Sequence, residues 1–205
     1  DNDACRIEII AKGGLDILLN ILPYALFEAR TMIVVCLYNL MQHDYLNNAQ
    51  FEKCAHIACQ VINASTEDII FEYASTCLYK LAEDNVRGNT KLANMIMDVV
   101  GKYMGSAVPL TQYFAVATAG NLFFLRGTET KKLEHLIYEV LQKGKSLQNV
   151  EASEGLSIAL AKLTQDDFSM SILERKGFYD DMLTLLLKLM RQVRLHQLHW
   201  IYHSK

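Results

Sequence analysis

Near the C-terminus, His196, His199 and His203 stand at i, i+3 and i+7, a spacing that puts three imidazoles on one face of a helix. Three neutral imidazoles in that arrangement could ligate Zn²⁺, and three with ordinary pKa values could titrate together below neutral pH. Ligation needs outer groups that orient each ring, and the sequence shows none. The trio therefore reads as the polar side of a helix whose other side is Leu195, Leu198, Ile201 and Tyr202, and no metal site is assigned. Trp200 among them is a packing or interface residue. Two further fragments fail on their own chemistry. Gly144-Lys145-Ser146 has the ending of a phosphate-binding loop, but Glu139 occupies the place of the leading glycine, so the backbone cradle cannot form. Gly155-Leu156-Ser157 lacks the second glycine of a nucleophile elbow and lies in a helical pattern, not at a strand-to-helix turn. Asn63-Ala64-Ser65 has the form of a glycosylation sequon, a triplet common by chance. With no His-Glu-x-x-His and no glycine-rich dinucleotide fingerprint, neither catalytic residues nor a cofactor are assigned.

The elements that would carry any function are helices. Of 205 residues, 51% are hydrophobic and 21% charged, with only two prolines and ten glycines to punctuate the chain, which predicts an all-α domain. A net charge of −3 gives no general attraction to nucleic acid or anionic lipid, and no apolar run is long enough for membrane insertion. The N-terminus DNDACRIEII has neither an initiator Met nor a basic leader, so a fragment of a longer protein is expected. Cys5, Cys36, Cys54, Cys59 and Cys77 are odd in number and include no C-x-x-C pair; they read as reduced thiols of a cytoplasmic or nuclear protein. Cys36 and Cys77 in particular read as small core hydrophobes.

These two cysteines open a duplicated stretch. CLYNLMQHDYLNN at 36–48 and CLYKLAEDNVRGN at 77–89 share Cys-Leu-Tyr-x-Leu and an Asn eight residues further on, 41 residues apart. Steps of 41 from Leu40 reach Leu81, Leu122 and Leu163; steps from Ile10 reach Phe51, Leu92 and Leu133; steps from Leu18 reach Cys59, Val100, Leu141 and Met182. Apolar spacing inside each unit is helical, as in Ile17, Leu18, Ile21 and Leu22, and breaks fall at Pro23, NASTED, GSAVP and SLQNVE. The reading is one domain over 1–205 built of five units, 2–42, 43–83, 84–124, 125–165 and 166–205, each a short first helix, a second helix and a longer third. A period near 40 with two or three helices per unit is the mark of an α-solenoid whose neighbouring units bury one another.

At these residues the chain resembles the armadillo repeat family. NDACRIEIIAKGGLDILLNIL is similar to that family's first and second helices with Gly13-Gly14 at their corner, ERKGFYDDMLTLLLKLM repeats the corner with Gly177, and the Asn-Leu of CLYNLM and AGNLFFL is similar to the end of its third helix. In the second unit Ala55 replaces the corner glycine. The resemblance implies a right-handed superhelix of helices whose third members line a concave groove. It implies a non-enzymatic adaptor or scaffold that binds a segment of another protein there.

Along that wall the position before each aligned Leu carries Asn39, Lys80, Asn121 and Lys162. The resemblance gives the Asn rungs the task of holding a peptide backbone, since a carboxamide both donates and accepts. Four residues earlier stand Val35, Thr76, Ala117 and Ile158, and seven earlier Met32, Tyr73, Phe114 and Gly155. Nuclear-import receptors of the family carry Trp at the former place, and none is present here. With Lys80 and Lys162 on the wall and Tyr73 and Phe114 as anchors, the partner expected is an acidic and apolar peptide or amphipathic helix. Glu28 and Glu151 share the face by helical period. Two alternatives stand beside this reading: a self-assembling module, homo-oligomeric through its uncapped ends, and a regulatory domain of a larger enzyme. The last unit is irregular, because Ser204 stands where an aligned Leu is due and 178–205 contains no Gly or Pro. That stretch, whose last fifteen residues carry +3 against −6 for the remainder, predicts either one long helix or a tight turn near Arg191-Gln192.

Overall fold

The computed structural model describes residues 3–42, 46–84, 89–124 and 129–203, with backbone only for residue 84 and for 193–203. Among these residues there are eleven α-helices and no strand. They are α1 (Asp3–Ala11), α2 (Gly14–Ile21), α3 (Phe27–Leu40), α4 (Asn48–Asn63), α5 (Asp68–Asp84), α6 (Thr90–Met104), α7 (Pro109–Leu122), α8 (Thr130–Ser146), α9 (Val150–Gln165), α10 (Asp167–Lys176) and α11 (Tyr179–His203), with a 3-10 turn at Leu22–Tyr24. Helix starts are written locally. Asn47 forms a capping box with Gln50, Asn89 and Asn149 accept from the amides of Leu92 and Ala152, Asp166 accepts from that of Ser169, and Pro109 opens α7.

The helices pack in two rows. One runs α2, α4, α6, α8, α11; the other runs α3, α5, α7, α9; each helix touches its row neighbours, and from α4 onward each of the first row also touches the helix beside it in the second. The core lies between the rows. Leu81, Leu122 and Leu163 are fully buried and Leu40 nearly so, as are Val100 and Leu141 in the facing row. Burying one such side chain is worth about 2 kcal/mol, so these aligned positions outweigh any polar contact in the array.

Three helices per unit are found only in the first unit, as α1, α2 and α3; the last has the corner between α10 and α11 but only those two helices. Gly13 and Gly177, four steps of 41 apart, are the described residues with positive φ, at 83° and 70°. At Gly177 the chain closes a Schellman motif, with the Phe178 amide donating to the Leu173 carbonyl and the Gly177 amide to that of Glu174. The same register position in the middle units holds Cys54, Met95 and Leu136, which cannot take that conformation cheaply. There the expected first and second helices run on as single helices of 15 to 17 residues, α4, α6 and α8. At the other end, α11 continues unbroken through Arg191-Gln192 to His203, so the long-helix alternative holds and no turn intervenes.

Aromatic and glycine residues set the spacing within the second row. Tyr38 of α3 meets Tyr73 of α5 edge-on with ring centroids 5.6 Å apart, and one step later Tyr79 of α5 meets Phe114 of α7 at 5.4 Å. A further step replaces both partners with Gly120 and Gly155. A Cβ on Gly120 would stand 2.7 Å from the Ala159 Cα, and one on Gly155 would stand 2.7 Å from the Tyr113 carbonyl oxygen. The α7–α9 contact is therefore backbone on backbone, where the two before it are ring on ring.

Cys36 departs from the expected core role. Its counterparts Cys77, Thr118 and Ala159 are buried because a helix of the preceding unit covers them, whereas α3 has a row neighbour on one side only and leaves Cys36 exposed.

Polar contacts between units recur at nearly the same interval: Asp16 with Lys53, Glu52 with Lys91, Asp98 with Lys132, and Glu134 with both Arg175 and Lys176. Exposed pairs of this kind contribute at most about 1 kcal/mol each, so they select register more than they stabilise. Two cations act instead as caps across helices: Arg30 donates to the Ala64 carbonyl at the end of α4, and Lys188 to the carbonyls of Gly144, Lys145 and Leu147 at the end of α8.

Gly155→Ala is expected to destabilise the protein by about 1 to 3 kcal/mol through overpacking against backbone. Gly177→Ala, with open space around its Cβ, should lose about 1 to 2 kcal/mol by backbone strain alone; urea denaturation of both variants measures the two effects. The hydrogen bond from Lys176, with the nearby charge of Arg175, holds the Glu134 carboxyl below its ordinary value of 4.5. A depressed folded pKa stabilises above the unfolded value and is lost as pH falls through the folded one. The stability difference between wild type and Glu134→Gln should thus be full near neutral pH and vanish in acid, as denaturation at stepped pH would register.

Candidate protein-interaction surface

The four expected rungs fall at the C-terminal ends of α3, α5, α7 and α9, the successive members of the second row, but their exposure changes along it. Asn39 is exposed, Lys80 and Lys162 are half-buried, and Asn121 is 8% exposed. One pair is joined directly. Lys162 Nζ, one unit further on, donates to Asn121 Oδ1. Asn121 Nδ2 is buried and has no hydrogen-bond partner among the described residues. A buried amide donor left unmade costs about 1 to 3 kcal/mol, a penalty that a carbonyl delivered from outside would relieve.

The remaining expected residues divide by depth. Val35, Thr76, Tyr73 and Phe114 are half-buried and Met32 is exposed, so each offers some surface. Ala117 is fully buried and offers none, because the close α7–α9 approach covers it; it is a packing residue. Tyr73 and Phe114 are not free anchors: their rings already pack on Tyr38 and Tyr79, and Phe114 also on Tyr113 at 5.2 Å. Rings fixed in this way are preorganised, so a ligand would spend little entropy on ordering them.

Three residues that sequence reasoning did not assign belong to the same surface. Tyr38 and Tyr79 are the shared Tyr of Cys-Leu-Tyr-x-Leu, and the repetition was the available signal. Tyr113 has no aromatic counterpart one step away in either direction, so no pattern marked it. Together Tyr79, Tyr113 and Phe114 form a cluster of half-buried rings between α5 and α7. The Tyr79 hydroxyl donates to Glu83 at 3.1 Å. Burial, then the charges of Glu154 and Glu83, push the Tyr113 hydroxyl upward, so it is a neutral donor at physiological pH. With Glu28, Glu83, Glu151 and Glu154 all exposed, the surface is of mixed charge.

Elsewhere, a polar cleft of about 400 Å³ lies between α6 and α8, lined by Asp98, Lys102, Lys132, His135 and Glu139 among others. Its acids are engaged: Asp98 lies 2.8 Å from Lys132, and Glu139 faces His135. Among the described residues no group of three or more His, Cys, Asp or Glu could hold a metal ion. The side chains of His196, His199 and His203 lie outside the described residues. Among the described residues, no helix is long and apolar enough to cross a membrane. Compared with protein-family models, curated proteins and solved structures, the chain matches none.

Burial pushes the thiols of Cys54 and Cys59 up to about 12 and that of Cys77 higher still, while Cys5 and Cys36 are exposed. A thiol reagent at neutral pH should accordingly titrate two cysteines rapidly in the native protein and all five after unfolding. Rapid reaction of a third would contradict the packing of α4 and α5.

Proposed function

We propose that the protein is a non-enzymatic, armadillo-like adaptor that binds a segment of another protein across the C-terminal ends of α5, α7 and α9. The observation that carries this reading is Asn121: its carboxamide oxygen is taken by Lys162, and its buried nitrogen is a donor without a partner among the described residues. A main-chain carbonyl of a bound segment is the ligand atom that such a donor fits, because it accepts from any sequence and carries no charge to desolvate. The ring cluster of Tyr79, Tyr113 and Phe114, with the latter two about two helical turns before Asn121 on α7, gives apolar side chains of that segment a rigid floor. Lys80 favours an acidic residue beside them, and the exposed glutamates on either side disfavour a uniformly acidic ligand. The proposed partner is thus an apolar peptide or amphipathic helix with an isolated acid.

Peptides selected from a displayed library on the immobilised chain test the reading. Their affinity should fall at least tenfold, about 1.4 kcal/mol, in Lys80→Glu/Asn121→Ala, with the melting temperature checked in parallel. Undiminished binding by the double variant would overturn it.

A further inference from the structure

We propose that the first turns of α3, α5, α7 and α9 form a second docking line, separate from the rungs, and that it takes a basic amphipathic α-helix of another protein. This does not rest on the adaptor reading: Ile69 and Leu110, at the centre of the line, lie eleven residues before Lys80 and Asn121, about 16 Å along their helices.

Steps of 41 from Glu28 reach Ile69, Leu110 and Glu151, each the second residue of its helix. Ile69 is 48% and Leu110 42% exposed, and both glutamates are exposed. The two apolar residues are not bare for want of a neighbouring unit. Helix α5 packs between α3 and α7, α7 packs between α5 and α9, and each also touches the first row. Four residues further on, and so on the same face, come the half-buried rings of Tyr73 and Phe114, which widen the apolar strip across α5 and α7. The helix dipole favours an acid in a first turn, as at Glu28 and Glu151, but gives no reason for an exposed Ile and Leu in the same register.

Charge indicates what covers the strip. In the first row, Asp16, Glu52, Asp98 and Glu134 each hold a lysine of the next unit. Around the strip, by contrast, Glu28, Glu72, Glu151 and Glu154 make no ion pair among the described residues. The one cation in the first four residues of these helices, among the described residues, is Arg30, and it is turned onto the Ala64 carbonyl at 2.8 Å. Apolar side chains set among unpaired carboxylates fit a ligand whose apolar residues are flanked by cations, and they repel an acidic one.

Spacing selects the form of that ligand. Packed helices lie about 8–10 Å apart, so residues at one register position recur at that interval across the row. Seven residues of an α-helix advance about 10.5 Å and return to the same face. An extended strand covers the interval in about three residues, which turns successive side chains to opposite faces. The match is therefore a helix with a cation, two apolar residues and a second cation at seven-residue steps, laid across Glu28, Ile69, Leu110 and Glu151.

The probe is a labelled helical peptide of about 22 residues, with lysine, leucine, leucine and lysine at those steps and alanine and glutamine elsewhere. Titrated with the full chain at low salt, its fluorescence anisotropy should give a Kd below about 100 μM, and binding should weaken several-fold in about 0.5 M salt. Ile69→Ser/Leu110→Ser, at exposed positions and verified as folded by circular dichroism, should bind at least tenfold more weakly. Glu28→Lys/Glu151→Lys should lose binding likewise, and a peptide with glutamates in place of the two lysines should bind that variant and not the wild type. Lys80→Glu/Asn121→Ala should bind the probe as the wild type does, which separates this line from the rungs. No binding at about 1 mM chain, equal binding of a scrambled peptide, absence of the charge-exchange rescue, or loss of binding in the rung variant would each overturn the proposal. So would self-association in light scattering that Ile69→Ser/Leu110→Ser abolishes, since a second copy would then be what covers the strip.

Discussion

The contact between a helix and its counterpart one 41-residue step along carries the architecture. A single helical hairpin such as α4–α5 has apolar positions on more sides than its own partner can cover: Cys54, Ala58 and Ile62 on α4, and Ala74, Cys77 and Leu81 on α5, are all buried, with α2, α3, α6 and α7 flanking the pair. Stability is then a sum over neighbouring contacts and not the property of one central core. The end units bear the cost of this arrangement. In the first unit Cys36, Ile17 and Ile21 are exposed, where their counterparts one step on, Cys77, Ala58 and Ile62, are buried.

Within that constraint, small changes at one register position alter the spacing of the second row. Tyr–Tyr and Tyr–Phe contacts hold α3, α5 and α7 at ring distance, while Gly120 and Gly155 let α7 and α9 meet backbone to backbone. The rung residues inherit the consequence. Asn39 stays exposed on the loosely spaced side, and Asn121 sinks where the row tightens, close enough for Lys162 to reach its oxygen. An identical residue at an identical register position thereby has a different chemistry: a solvated amide in one case, and in the other a polarised, buried donor aimed at no group among the described residues. The ion pairs between units are exposed and individually weak, so their part is to forbid slippage by a helical turn.

The helical class, the 41-residue interval and the aligned leucines were readable from the chain alone, because apolar periodicity and interval are local properties that burial must respect whatever the neighbours are. The capping residues Asn47, Asn89, Asn149 and Asp166 were equally local, and they place helix starts within the breaks that the sequence marks. The corner glycines carried more information than their number suggested. Where Gly13 and Gly177 supply a positive φ the helix breaks; where Cys54, Met95 and Leu136 stand in the same place it does not, and that distinction also follows from residue type.

Tertiary structure decided what depends on neighbours. Whether Cys36 is core, whether Tyr73 and Phe114 are open to a ligand, and whether Asn121 has a spare donor are set by the helix one unit away, which no local pattern specifies. The repeated Cys-Leu-Tyr-x-Leu shows the division. Its Leu and closing Leu are buried in both copies; its Cys is exposed in α3, which has one row neighbour, and buried in α5, which has two.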